Sequence, residues 1–160
     1  MERPVVRVLI VDDYEQWRRF LRLTLAVQEQ LHIIAEVTDG PEAIQKAEEL
    51  QPDLILLDVG LPTLNGIEAA RRIREVSPNS KILFISENRS EDIAREALST
   101  GAGGYVVKSD AAGDLLHAIK AVLEGKRFIS ASLAGHFLVA ATFTTTQSIS
   151  WIVTLISGAH

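Results

Sequence analysis

The chain has 160 residues, 47% apolar and 23% charged, with a net charge of −5 and no cysteine. That length and apolar share predict one folded domain with a sizeable core and exclude a disordered chain. The acidic balance argues against nucleic-acid binding by this chain alone, and the absence of thiols excludes disulfides and cysteine metal sites.

The first apolar run, VVRVLIV (5–11), is β-branched and nearly continuous, the pattern of a strand covered on both faces. It is too short for a secretory leader, holds Arg7 and meets two aspartates at once, so the expected location is the cytoplasm. Trp17, Leu21 and Leu25 then recur at helical spacing. HIIAEV (32–37) is a second strand, and Ala43, Ile44 and Ala47 mark a second helix face. DLILLD (53–58) is a third strand, followed by Ile67, Ala70 and Ile73 on one helix face. KILFIS (81–86) and GYVVK (104–108) are the fourth and fifth strands. Ile93, Ala94, Ala97 and Leu98 lie between them, and Leu115, Ile119, Val122 and Leu123 follow. Gly40-Pro41, Gln51-Pro52, Ser77-Pro78 and Gly101 punctuate the helix ends. Five strands alternating with helices predict a doubly wound α/β domain, its parallel sheet covered by helices on both faces.

Ligands in such sheets bind at the carboxyl ends of the strands, so the residues there carry the functional reading. The first strand runs into Asp12-Asp13, the third into Asp58, the fourth into Ser86 and the fifth into Lys108. If strands one and three are neighbours, their ends lie about 4.8 Å apart and three carboxylates converge. They would repel one another unless a cation neutralised them. A few hard oxygen ligands suit Mg²⁺. Carboxylates, a divalent ion, a lysine and a hydroxyl make a fit site for phosphoryl transfer, and the apolar strand before Asp58 holds that carboxylate in place as a nucleophile requires. Each residue also has an ordinary reading. Asp12-Asp13 would cap the first helix and Asp58 would form a turn. Ser86 would be a cap, Lys108 a solvated charge and Tyr105 a packed aromatic. Arg18, Arg19, Arg22, Arg71, Arg72 and Arg74 read as solvated helix faces, and the four histidines show no metal-ligand spacing.

VLIVDD (8–13), LLDVGLPTLNG (56–66), FIS (84–86) and GYVVKS (104–109) together resemble the receiver domain of two-component response regulators. The stretch 101–130 is similar to receivers that usually precede a LuxR-type helix-turn-helix. The resemblance covers about residues 5–130 and implies the CheY-like, flavodoxin-like strand order 2-1-3-4-5. It implies that Asp58 is the phosphoacceptor, Asp13 the direct metal ligand, Asp12 a partner acting largely through water, and the Gly60 carbonyl a third protein ligand for Mg²⁺. It further implies that Ser86 and Lys108 bind the phosphoryl group, and that Tyr105 is the aromatic whose rotamer follows Ser86. A sensor histidine kinase would be the phosphodonor. The protein would modify itself once per cycle rather than turn over a substrate.

Two departures stand out. Glu87 follows Ser86 where similar receivers have a small residue, so it is expected to act as an access gate that slows phosphorylation and hydrolysis. From Phe128 to His160 there is no Lys, Arg, Asp or Glu, which divides the chain into a receiver (1–127) and a charge-free tail (128–160). The tail starts like a linker, but nothing in it reads as a DNA-binding helix-turn-helix. Leu133, Phe137, Leu138 and Ala141 suit an amphipathic helix and SISWIVTLI (148–156) a strand. TTTQS interrupts the uncharged stretch 137–157, which lacks basic anchors, so burial by homodimerisation or packing is favoured over a membrane span. The alternative reading is a receiver-fold interaction or oligomerisation module whose phosphorylation site is gated or unused. A flavodoxin-like flavin binder is disfavoured by the charge of DDYE, and a haloacid-dehalogenase-type phosphatase by Gly60 standing two residues after Asp58.

Overall fold

The computed structural model describes residues 4–133. The helix, strand and membrane-span readings of the tail past Leu133 lie outside those residues. In chain order the elements are β1 (Val6–Val11), α1 (Glu15–Ala26), β2 (Leu31–Val37), α2 (Gly40–Leu50), β3 (Leu54–Leu57), α3 (Gly66–Val76), β4 (Lys81–Ser86), α4 (Glu91–Ser99), β5 (Gly104–Val107), α5 (Ala111–Leu123) and β6 (Phe128–Ile129). The strand order of the sheet is β2-β1-β3-β4-β5-β6. The chain divides into two compact units, the first ending at Ile82 and the second beginning at Leu83.

In the first unit β1 lies between β2 and β3, parallel to both. Val8, Leu9, Ile10 and Val11 and all four residues of β3 are buried, as the uninterrupted apolar runs require of strands covered on both faces. Arg7, the charge inside the first run, serves a helix end. Its guanidinium donates to the carbonyls of Leu50 (2.7 Å) and Gln51 (3.0 Å), groups that α2 leaves without helical partners. That helix starts on Asp39, whose carboxylate accepts from the Glu42 N–H, and stops at Gln51 in the left-handed region (φ 47°). Asn65 caps α3 in the same way, accepting from the Glu68 N–H.

In the second unit β4 and β5 pair in parallel from Leu83↔Gly104 to Ser86↔Val107. Ser90 caps α4 through the Ile93 N–H. The sheet has six strands where five were expected. Phe128 and Ile129 pair with Gly104 and Tyr105. A two-residue strand carries no periodicity, so it read as the start of a linker. Ser130 extends the pairing by one residue: its N–H donates to the Tyr105 carbonyl (3.0 Å), and its hydroxyl oxygen accepts from the Val107 N–H (2.8 Å). At this sheet edge Phe128, Ile129 and Leu133 are core residues. Among the described residues no helix is long and apolar enough to cross a membrane.

Candidate functional site

Three carboxylates converge at the carboxyl ends of β1 and β3. Each of Asp12, Asp13 and Asp58 offers an oxygen within 4.8 Å of the others. The sheet ladder brings this about. Val11 faces Leu57, and the next rung is the Asp58 N–H donating to the Val11 carbonyl (3.0 Å). On the other side the Asp12 N–H donates to the Val37 carbonyl (3.1 Å). Asp12 is 2% and Asp58 8% exposed, whereas Asp13 is open to solvent. The donors are oxygens alone, two walled in and one accessible, with no imidazole or thiolate among them. That set fits a small hard cation that keeps part of its water shell. Gly60, proposed to add its carbonyl, is exposed in the turn that follows.

Neither aspartate caps α1. The N-cap is Tyr14, with no side-chain cap bond, and Asp12 Oδ1 instead accepts from the Tyr14 N–H (2.9 Å). The carboxylates that sequence alone allowed as caps are thus turned toward each other.

Arg18 and Arg22 are not simply solvated. Arg18 donates from Nη1 to the Asp12 carbonyl (2.8 Å) and pairs with Glu15 and with Glu36 of β2. Arg22 pairs with the same two glutamates. Arg22 first, and Arg18 to a lesser degree, hold the exposed Glu15 carboxyl below the usual carboxylate range. The other four arginines meet the expectation better: Arg71 and Arg72 make exposed pairs with Glu68, and Arg19 and Arg74 are exposed.

A second residue that sequence reasoning left without a role is Gly66. A Cβ there would run into the Asp58 carbonyl, so the start of α3 presses against the backbone of the central aspartate. The signal was present: glycine is a poor helix former, yet it opens a helix directly after its cap.

Within the second unit, Ser86 ends β4 opposite Val107, the residue before Lys108. Its hydroxyl oxygen is buried and accepts from the Asn88 N–H (3.1 Å). The Tyr105 ring is fully buried beside Phe84, 6.4 Å between centroids, and its hydroxyl donates to the Asn88 carbonyl (2.7 Å). One residue, Asn88, therefore touches both members of the expected switch pair. Lys108 is half-buried at the start of a 3₁₀ turn (Lys108–Asp110). Glu87 is exposed. The Ser109 hydroxyl oxygen accepts from Arg89 (2.6 Å).

Comparison with known proteins shows the family. The response regulator receiver domain pattern matches residues 8–120. The transcriptional regulatory protein DegU of Brevibacillus brevis is 33% identical over 78% of this chain and 52% of its own length. The response regulator GacA of Pseudomonas viridiflava is 32% identical over 81% of this chain and 61% of its own length. The chain thus spans about half to three-fifths of the curated relatives it matches. Among solved structures, a LuxR-family two-component response regulator from Aurantimonas sp. SI85-9A1 superposes with a TM-score of 0.81 at 32% identity, covering 86% of this chain and 99% of that one. The isolated receiver domain of RcsB from Salmonella enterica serovar Typhimurium, solved with the phosphomimetic BeF3-, gives 0.77 at 25% identity, covering 82% of this chain and 97% of that one. The chain belongs to the response regulator receiver domain family.

Proposed function

We propose that this receiver is a phosphoacceptor switch modified on Asp58. The observation that carries the reading is the convergence of Asp12, Asp13 and Asp58 at the ends of two buried strands. A carboxylate oxygen of Asp58 attacks phosphorus of a phosphohistidine on a sensor kinase. The P–N bond breaks, a P–O bond forms, and the histidine leaves with a proton. Water later attacks the same phosphorus and releases inorganic phosphate, restoring Asp58. Each cycle modifies the protein once, so it is a switch rather than a turnover enzyme.

Asp13, Asp58 and the Gly60 carbonyl would hold Mg²⁺, with Asp12 reaching it through water. Bound there, the ion would neutralise charge on the phosphoryl oxygens. The charges of Asp12 and Asp13 beside Asp58 favour a bound cation that neutralises all three. Lys108 and Ser86 bind the phosphoryl oxygens. Recruiting the Ser86 hydroxyl breaks its bond from the Asn88 N–H, and Tyr105, held by the same residue, registers the change. Glu87 screens entry, and Glu87→Ala should speed both phosphorylation and hydrolysis. Equal rates would reduce Glu87 to a solvated charge.

The kinase partner makes the cytoplasm the working compartment. Relatives named as transcriptional regulatory proteins suggest control of transcription as the output. With its acidic charge, the receiver would act on that output through a protein partner face. Leu23 of α1 and Val27 just past its end, both exposed, suit a homodimer contact.

Fluorine NMR with beryllofluoride tests the site. Bound signals should appear only with Mg²⁺ present, and vanish in Asp58→Asn. Binding that ignores Mg²⁺ or survives in Asp58→Asn would refute the assignment.

A further inference from the structure

We propose that Arg18 is a positioning residue of the acidic site: it fixes the Asp12 main chain and so sets the spacing at which Asp12 and Asp13 receive a divalent cation. The inference rests on the metal-binding reading above and adds a residue to it.

One guanidinium here joins three elements. Nη1 donates to the Asp12 carbonyl (2.8 Å), Nη2 pairs with Glu15 of α1, and Nε lies 3.3 Å from Glu36 of β2. The Arg18 side chain is 14% exposed, against 37% for Arg22, which pairs with the same two glutamates. Asp12 is consequently pinned at three points. Its N–H is held by Val37, its carbonyl by Arg18, and its Oδ1 by the Tyr14 N–H. Asp13 stands between two anchored residues, Asp12 and Tyr14, in a turn that no helix cap secures. Arg18 does from the first turn of α1 what a cap would otherwise do. The planar fork suits three acceptors at fixed angles, and an ammonium on a flexible stem does not.

A simpler view would make Arg18 a surface charge that weakens cation binding by repulsion. The two views predict opposite signs. If Arg18 acts by charge alone, Arg18→Ala binds a cation more tightly and Arg18→Lys changes little. If Arg18 positions the turn, both variants bind more weakly.

The test measures Mn²⁺ affinity of the full chain from the electron paramagnetic resonance signal of the free ion, with thermal melts in chelator as a check on folding. Arg18→Ala and Arg18→Lys should each weaken binding about tenfold, as outer-shell changes at metal sites do. Arg22→Ala, which loses the Glu15 and Glu36 pairs but no bond to Asp12, should stay within about twofold. Unchanged or tighter binding in Arg18→Ala overturns the proposal, as does an equal loss in Arg22→Ala. If Arg18→Ala does not fold, Arg18→Lys decides alone. Wild-type protein that binds no Mn²⁺, or Asp13→Asn that binds as wild type does, would overturn the site reading itself, and Arg18's part with it.

Discussion

Asp58 closes a strand whose four preceding residues are almost inaccessible to water, and it is nearly as buried itself. A carboxylate so placed beside two others is a standing cost to the fold unless something positive shares the site. Asp13→Asn should therefore raise metal-free stability by about 1 kcal/mol, the scale of a partly screened carboxylate contact. Saturating Mg²⁺ should stabilise wild type and leave the variant nearly unmoved, closing the gap in a thermal melt. A second acid strains the fold for a different reason. Burial first, and then the Asp110 charge, raise the Asp114 carboxyl above its usual value, with His117 and the Ser130 hydroxyl pulling it back. The folded state then holds that proton more tightly than the unfolded chain does, so stability from this group is lost as pH rises through the raised value. Asp114→Asn should melt higher than wild type at neutral pH, and the difference should fade as pH falls below about 4, near the unfolded carboxyl's own titration. At this scale the sequence showed which residues end strands. It did not show Arg18's part, because spacing along α1 groups it with Arg19 and Arg22. Only the neighbouring strand reveals Glu36 opposite it.

The elements were legible where their signal is long. β1, β3 and β4 are runs of apolar residues that only a doubly covered sheet explains, and their ends fell within a residue of the expected ones. Helix punctuation was readable at Gly40-Pro41, which opens α2, and at Gln51, which ends it. The caps Asp39, Asn65 and Ser90, each accepting from the N–H three residues on, were not singled out. Asp39→Ala should cost about 1 kcal/mol. The connection between β3 and α3 was less legible. Thr63 sits there at φ 69°, a region favourable to glycine, and the Leu64 N–H bonds the Pro62 carbonyl around it (2.7 Å). Thr63→Gly should relieve strain and hold or raise stability, contrary to the usual cost of a new glycine. Gly66→Ala should do the reverse. With no room before the Asp58 carbonyl, it should destabilise by about 1–3 kcal/mol in a urea titration and displace the phosphoacceptor.

At the scale of the molecule, alternation of strand and helix foretold the doubly wound parallel fold, and the resemblance foretold the order through β5. The sixth strand escaped because two residues and a serine side chain complete its pairing. The family assignment followed from four motifs in order, each at a strand end, and what it assigns to Asp58 has one direct test. The full chain is incubated with acetyl phosphate and Mg²⁺ and weighed intact beside Asp58→Asn and beside a chelated sample. The switch described here predicts a gain of one phosphoryl group in wild type alone, lost with chelator. A gain that persists in Asp58→Asn, or no gain in either wild type or Glu87→Ala, would contradict it.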